Sequence, residues 1–291
     1  MEQPVKSLKS PRRQELREFL MNRRARVTPA QAGLPDGGAR RRTPGLRREE
    51  VAVLAGVGAS WYQWLEQGRD ISVSPQVLDS VARVLRLNGA ERRHLYVLAG
   101  LNPPLPRAES REGSCEGLKR LIDAWMPFPA HIMDAYWNIV AFNEAAGLTF
   151  GFGESDTNCL VSFFTNEVYR SRANTSGAIA ASVVAQYRAA ASEHPDDQGF
   201  RAVVDELAAV SGQFAELWAR GDVQPSGQMV KEIVHPVVGS LRFESTQLRI
   251  PARPDLTIVM HNPVPGTETA EKLERLVSPE GRRETIRPVA S

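Results

Sequence analysis

Arg47-Arg48-Glu49-Glu50-Val51-Ala52-Val53-Leu54-Ala55-Gly56-Val57-Gly58-Ala59-Ser60-Trp61-Tyr62-Gln63-Trp64-Leu65-Glu66-Gln67-Gly68 contains two short helical patterns joined at a glycine. Val51, Leu54 and Ala55 recur at helical spacing before Gly56, and Tyr62 and Leu65 recur after it. A helix-turn-helix needs a small residue midway along its first helix, so that the second can cross closely, and Ala52 stands there. Four residues on, the turn needs a residue tolerant of positive φ, and Gly56 supplies it. Val57, Tyr62 and Leu65 are then expected to face inward. Ala59, Ser60, Gln63 and Trp64 point outward on the second helix, whose start and outer face enter a major groove when such a motif docks on DNA. Arg47 and Arg48 open the first helix, where amides and guanidinium groups hold phosphate. Arg69 and the tripeptide Arg40-Arg41-Arg42 add candidate backbone contacts, and Trp61 completes the candidate DNA-binding set. Glu66 is expected to pair with an arginine of the first helix and hold the fold, rather than read a base.

Helix is the consistent reading on both sides of this pair. Leu16, Phe19 and Leu20 predict an amphipathic helix over 13–26, and an irregular stretch from Thr28 to Pro44 follows. Gly68 caps the second helix of the pair. Ser74-Pro75 opens another helix, as N-cap and first helical residue. Its inward face is Leu78, Val81, Ala82 and Leu85, and Asn88-Gly89 ends it. A last helix over 90–99 presents Leu95 and Leu98. The outcome is a five-helix domain. It is basic: residues 1–100 hold 18 Lys and Arg against 10 Asp and Glu, a net of +8, whereas the remaining residues carry −6. That asymmetry suggests one domain facing a polyanion and another doing different work.

Three prolines in Asn102-Pro103-Pro104-Leu105-Pro106 end the helical run and place a boundary near residue 103. The expected division is a DNA-binding domain over 1–102, a linker over 103–113, a ligand-binding domain over 114–278 and a frayed tail over 279–291. Leu118, Leu121, Ile122 and Trp125 predict a helical stripe. Two β-rich runs, 130–136 and 138–142, meet at a turn around Trp137-Asn138, and Asn143 caps a short helix. Helical patterns cover 176–191 and 199–220. Three strands follow, over 228–235, 239–250 and 256–262, and a helix closes the fold over 267–277. This order predicts an α/β PAS-like domain: a five-stranded antiparallel sheet with helices on one face.

Both halves resemble a known family. Thr43 to Ala52, Leu54-Ala55-Gly56-Val57, Trp61-Tyr62, Trp64 to Asp70 and Val73 to Leu78 are similar to the xenobiotic-response-element (XRE) family of bacterial helix-turn-helix regulators. Ala141-Phe142-Asn143, His194-Pro195-Asp196-Asp197, Leu217-Trp218, His235-Pro236-Val237-Val238-Gly239 and Pro265-Gly266-Thr267 resemble the branch with an MmyB-like ligand-binding domain. The resemblance spans about residues 12–277. It departs at Gly58, usually serine, and at Arg172 to Gly177, where relatives tend to carry an aromatic-acidic pair. It implies a regulator that binds double-stranded DNA and senses a small apolar ligand, a fatty acid in one relative.

A PAS-like sheet covered by helices leaves an apolar cavity, the usual place for a small ligand. Its candidate lining is Trp137, Phe142, Phe163, Phe164, Phe214, Leu217 and Trp218. His235 is the candidate to orient a polar group, set against a plain hydrogen bond to backbone. The five histidines are scattered, and no metal-ligand spacing, phosphate loop or GxSxG elbow is present, so no cofactor, no metal and no enzyme are expected. His235 and His261 are placed to approach each other on neighbouring strands, without a third ligand. Cys115 and Cys159 are too few for a disulfide framework. With 42% hydrophobic residues in 291 and no apolar run long enough to span a bilayer, a cytoplasmic protein with no membrane partner is expected. A homodimer is expected because one short recognition helix reads too few base pairs. The other reading is a non-catalytic adaptor or antitoxin-like partner binder.

Overall fold

The computed structural model describes residues 10–35, 45–105, 115–153, 155–173, 177–225 and 229–286. The chain divides into two compact units, Met1–Pro104 and Leu105–Ser291. The expected arginine tripeptide, with Arg41 and Arg42, and most of the expected linker lie outside the described residues.

The first unit is helical: α1 (Pro11–Arg26), α2 (Arg48–Ala55), α3 (Ala59–Glu66), α4 (Pro75–Val84) and α5 (Gly89–Ala99), with a single 3-10 turn at Ala30–Ala32. Local chemistry sets most of these ends. The Ser74 hydroxyl accepts from the Val77 amide ahead of Pro75. Asn88 and Glu91 exchange side-chain-to-amide bonds of 2.9 and 3.0 Å, so Asn88 opens α5 rather than ending α4, which stops earlier at Val84, ahead of Arg86 at φ 52°. Gly56 sits at φ 71° between α2 and α3, and Val57 donates back to the Ala52 carbonyl. Gly68, at φ 66°, ends α3 where a Cβ would lie 2.3 Å from the Arg13 carbonyl, so α1 and the end of α3 approach backbone to backbone. Leu20, Leu46, Val51, Tyr62, Leu65, Leu78, Val81 and Leu95 close over one core. Val57, expected inside, is only partly buried at its edge.

The second unit is built on five antiparallel strands: β1 (Ala130–Asp134), β2 (Ile139–Phe142), β3 (Met229–His235), β4 (Gly239–Ile250) and β5 (Arg253–Pro263). Their order is β2-β1-β5-β4-β3. Between β2 and β3 the chain forms α7 (Glu144–Phe150), α8 (Cys159–Thr165), α9 (Glu167–Arg172), α10 (Gly177–Ser192), α11 (Gln198–Val210) and α12 (Gly212–Ala219). These helices, with α13 (Thr269–Leu276) after the sheet, bury one large core against one sheet face. On the other face α6 (Cys115–Asp123) packs Ile122 against Ala130, Ile132, Leu256 and Ile258.

Several expected boundaries move, each for a local reason. The single helix expected over 199–220 is two, because the Ser211 hydroxyl caps the Phe214 amide and starts a new helix at Gly212. The expected stripe on α6 fails at Leu121, which is 58% exposed, and α6 ends before Trp125. The tail expected to fray from residue 279 forms α14 (Pro279–Ile286), opened by proline and tied by the Gly281 amide to the Ser278 hydroxyl. Two short helices, α8 and α9, were not expected at all.

Candidate functional site

In the first unit the outward side of α3 carries Ala59, Ser60, Gln63 and Trp64, all exposed, with Trp64 at 41%. Trp61 does not join them: it packs partly buried against the unit's core. Arg47, just before α2, and Arg69, just after α3, are exposed, and the Arg69 guanidinium lies 5.9 Å from the Trp64 ring centre.

Behind α3 the buried Glu66 carboxylate receives Arg24 Nε at 2.6 Å, the second Arg24 nitrogen at 3.0 Å and Arg48 Nε at 2.7 Å. Burial alone would raise this carboxyl, but the arginine bonds outweigh it and hold the group below the usual carboxylate range. Arg48 is therefore tied to Glu66, though half-exposed, rather than free at the helix start. The fork joins α1, α2 and α3 through one side chain and sets the angle at which α3 is presented.

In the second unit a narrow cavity lies between the sheet and its helices. It measures about 80 Å³, within about 730 Å³ of atom-free space that includes its open mouth. Trp137, Phe150, Phe152, Phe163 and Tyr169 form an aromatic wall. The sheet contributes alternate residues from four strands: His131 and Met133 (β1), Lys231 (β3), Ser245 and Gln247 (β4), Val259 and His261 (β5). His261 Nδ1 lies 2.9 Å from the Ser245 hydroxyl, and its Nε2 lies 3.4 Å from His131 Nδ1 across stacked rings. Trp137 enters from the β1–β2 turn at φ 65°. Its conformation is held by its amide bond to the Asp134 carbonyl at 3.0 Å and by the Cys159 amide on its own carbonyl at 2.8 Å.

Residues 115–276 match the family described as MmyB-like transcription regulator ligand binding domain, and residues 15–95 match a helix-turn-helix domain. The chain belongs to the MmyB-like transcription regulators. The comparison with curated proteins returns no match. Among solved structures it is similar to an RNA-binding light-oxygen-voltage receptor, at 14% identity over 94% of this chain and 69% of that one. The TM-score there is 0.24, a likeness too slight to carry an argument. The MmyB-like regulator joins a helix-turn-helix unit to a ligand-binding unit built on a five-stranded antiparallel sheet, the domain architecture of a transcription regulator. Among its described residues no helix is long and apolar enough to cross a membrane, and no three His, Cys, Asp or Glu side chains group as a metal site.

Of the residues expected to line the regulator's cavity, Trp137 and Phe163 do so. Phe164, Phe214 and Leu217 are instead interior packing, joined by the Phe164–Phe214 edge contact at 5.4 Å. Trp218 stacks on Phe214 and under the Arg188 guanidinium. Phe142 packs behind the wall, 5.9 Å from Phe152. His235 is turned away: Nδ1 accepts the Val237 amide, so Nε2 carries the proton and donates to the Leu148 carbonyl at 3.1 Å. Sequence reasoning missed the polar residues on the sheet, His131, His261, Ser245 and Lys231, and three of the aromatic wall, Phe150, Phe152 and Tyr169.

The paired histidines of the MmyB-like regulator set a pH dependence. Burial, then Lys231, pushes His131 down to about 3, and His261 falls well below its ordinary value. In the unfolded chain both titrate near ~6.5. Between these limits the unfolded state binds more protons, so stability falls as pH falls below about 6.5. Equilibrium denaturation at pH 7.5 and pH 5 is expected to differ by about 2 kcal/mol for each ring, with His131→Gln removing one share. Equal stability at the two pH values would show that the rings are solvated in the native state.

Proposed function

We propose that this chain is a one-component transcription regulator of the XRE class, which binds operator DNA as a homodimer and responds to a fatty-acid-like ligand. The observation that carries the DNA reading is the exposed outward face of α3, with Arg69 against its Trp64 and Arg47 exposed ahead of α2. Such a helix reads base edges in a major groove, while arginines hold phosphates. Two copies are needed because four outward side chains address only a few base pairs. Operator binding belongs in the cytoplasm.

Support for the ligand comes from the cavity's shape. Its narrow, aromatic lumen suits a slender chain better than a fused ring system. A ligand that regulates must bind the DNA-competent and incompetent states with different affinity.

The test is a mobility-shift titration on the operator found by genomic occupancy mapping. Arg47→Ala is expected to weaken binding to all sequences and reduce the salt slope by roughly one. Gln63→Ala is expected instead to change base preference. Adding a twelve-carbon fatty acid is expected to shift operator affinity by about fivefold or more. No duplex binding at low salt would favour the adaptor reading, and an operator affinity indifferent to the acid would remove the sensing role.

A further inference from the structure

Among the described residues, Lys231 is the one Lys or Arg that lines the cavity, and no Asp or Glu lines it. Among the described residues its amine forms no hydrogen bond or ion pair within the protein. What faces it is the Cys159 thiol and Phe163 of α8, Tyr169 of α9, Val183 and Gln186 of α10, Ser245 and Gln247 of β4, and the His131–His261 pair. Glu232, next along β3, is exposed and accepts from the Ser240 hydroxyl at 3.0 Å. Lys231 is half-buried, and a charged amine drawn partly out of water with no counter-charge is costly. The aromatic wall adds no acceptor strong enough to replace a carboxylate.

Resting on the reading of this cavity as the ligand site, we infer that Lys231 is its head-group anchor, and that it takes a single anionic group, a carboxylate, from an amphiphile whose chain lies along the aromatic wall. One cation matches one charge, so a second anionic group on the same head would enter uncompensated. In the empty cavity burial favours the neutral amine, and the two histidines are neutral beside it. Where the empty-cavity amine is neutral, binding draws one proton from solvent: the neutral amine, a proton and the carboxylate become an ammonium–carboxylate pair. Where the empty-cavity amine is deprotonated, affinity for the acid falls by up to about tenfold for each unit of rising pH. Cys159, pushed up to about 12 by burial, stays a neutral thiol and does not compete for the amine's charge.

Isothermal titration of the full chain with dodecanoic acid and with dodecanol, at one pH, separates the possibilities. The acid is expected to bind at least about tenfold more tightly than the alcohol. Repeating the acid titration in two buffers of different ionisation enthalpy, over a series of rising pH, is expected to show proton uptake that grows toward one as the empty-cavity amine becomes neutral. Lys231→Met should lower acid affinity by about tenfold or more, abolish the proton uptake and leave the alcohol within about threefold, which also shows that the variant is folded. If acid and alcohol bind alike to the unaltered protein, the anchor is wrong and the ligand site stands. If neither binds, the ligand-site reading falls, and the anchor with it. The acid-to-alcohol comparison needs no variant, so it decides the matter even if Lys231→Met misfolds.

Discussion

Glu66→Ala is expected to destabilise the N-terminal unit by about 3–5 kcal/mol, measured by urea or thermal denaturation. The carboxylate is fully buried and receives three arginine nitrogens at 2.6 to 3.0 Å. Truncating it leaves Arg24, itself only 12% exposed, as an uncompensated buried cation. Arg48, at 40% exposure, can turn to water, so most of the loss falls on Arg24. Replacing both Arg24 and Glu66 by leucine is expected to lose less than Glu66→Ala alone, since no charge is then stranded. A loss under about 1 kcal/mol for Glu66→Ala would mean that the fork behaves as a solvated surface pair. DNA affinity should fall in parallel, because the fork fixes α3 against α1 and α2.

The second large effect is expected at Asn143. Its side chain is wholly buried and makes four bonds: its oxygen accepts the Ala130 and Ala146 amides, both at 3.0 Å, and its nitrogen donates to the Ile122 and Phe128 carbonyls at 2.9 and 2.8 Å. One amide thus caps α7, starts β1 and holds the end of α6. Asn143→Ala removes the side-chain partner of all four backbone groups, for an expected loss of about 3–4 kcal/mol in the ligand-binding unit. Asn143→Asp keeps the two acceptor bonds but sets a carboxylate against two carbonyl oxygens, and it should be no milder. Denaturation of both variants checks this, and a near-native Asn143→Ala would show that water replaces the amide.

What could be read from the chain was what is local. Ser74-Pro75, Asn88, Gly56 and Asn143 act on neighbours a few positions away, and their roles follow from residue type and spacing. The Glu66–arginine pair was legible because a glutamate on an otherwise apolar helix face needs a cation. The helices α8 and α9, at 7 and 6 residues, are too short to display a period. Their only local signals are the capping residues Asn158 and Asn166, both of which accept helix amides.

The cavity's polar row was hidden for another reason: its members come from four strands and meet only through strand order. His261 was expected near His235. Strand β5 is central, however, with β1 and β4 as its neighbours, while β3 lies at the edge. The partner of His261 is therefore His131, 130 positions away. Trp137 and Phe163 were found because large aromatic residues are prominent in sequence. Phe164, Phe214, Leu217 and Trp218 were assigned by the same prominence and turned out to be packing, since composition does not say which side of a helix layer meets the void.

The tight bend that carries Trp137 has a mechanical consequence. A bulky residue held at positive φ stores strain of about 1–3 kcal/mol, which the surrounding bonds must contain. Glycine would remove that load and would also remove the indole from the chamber wall.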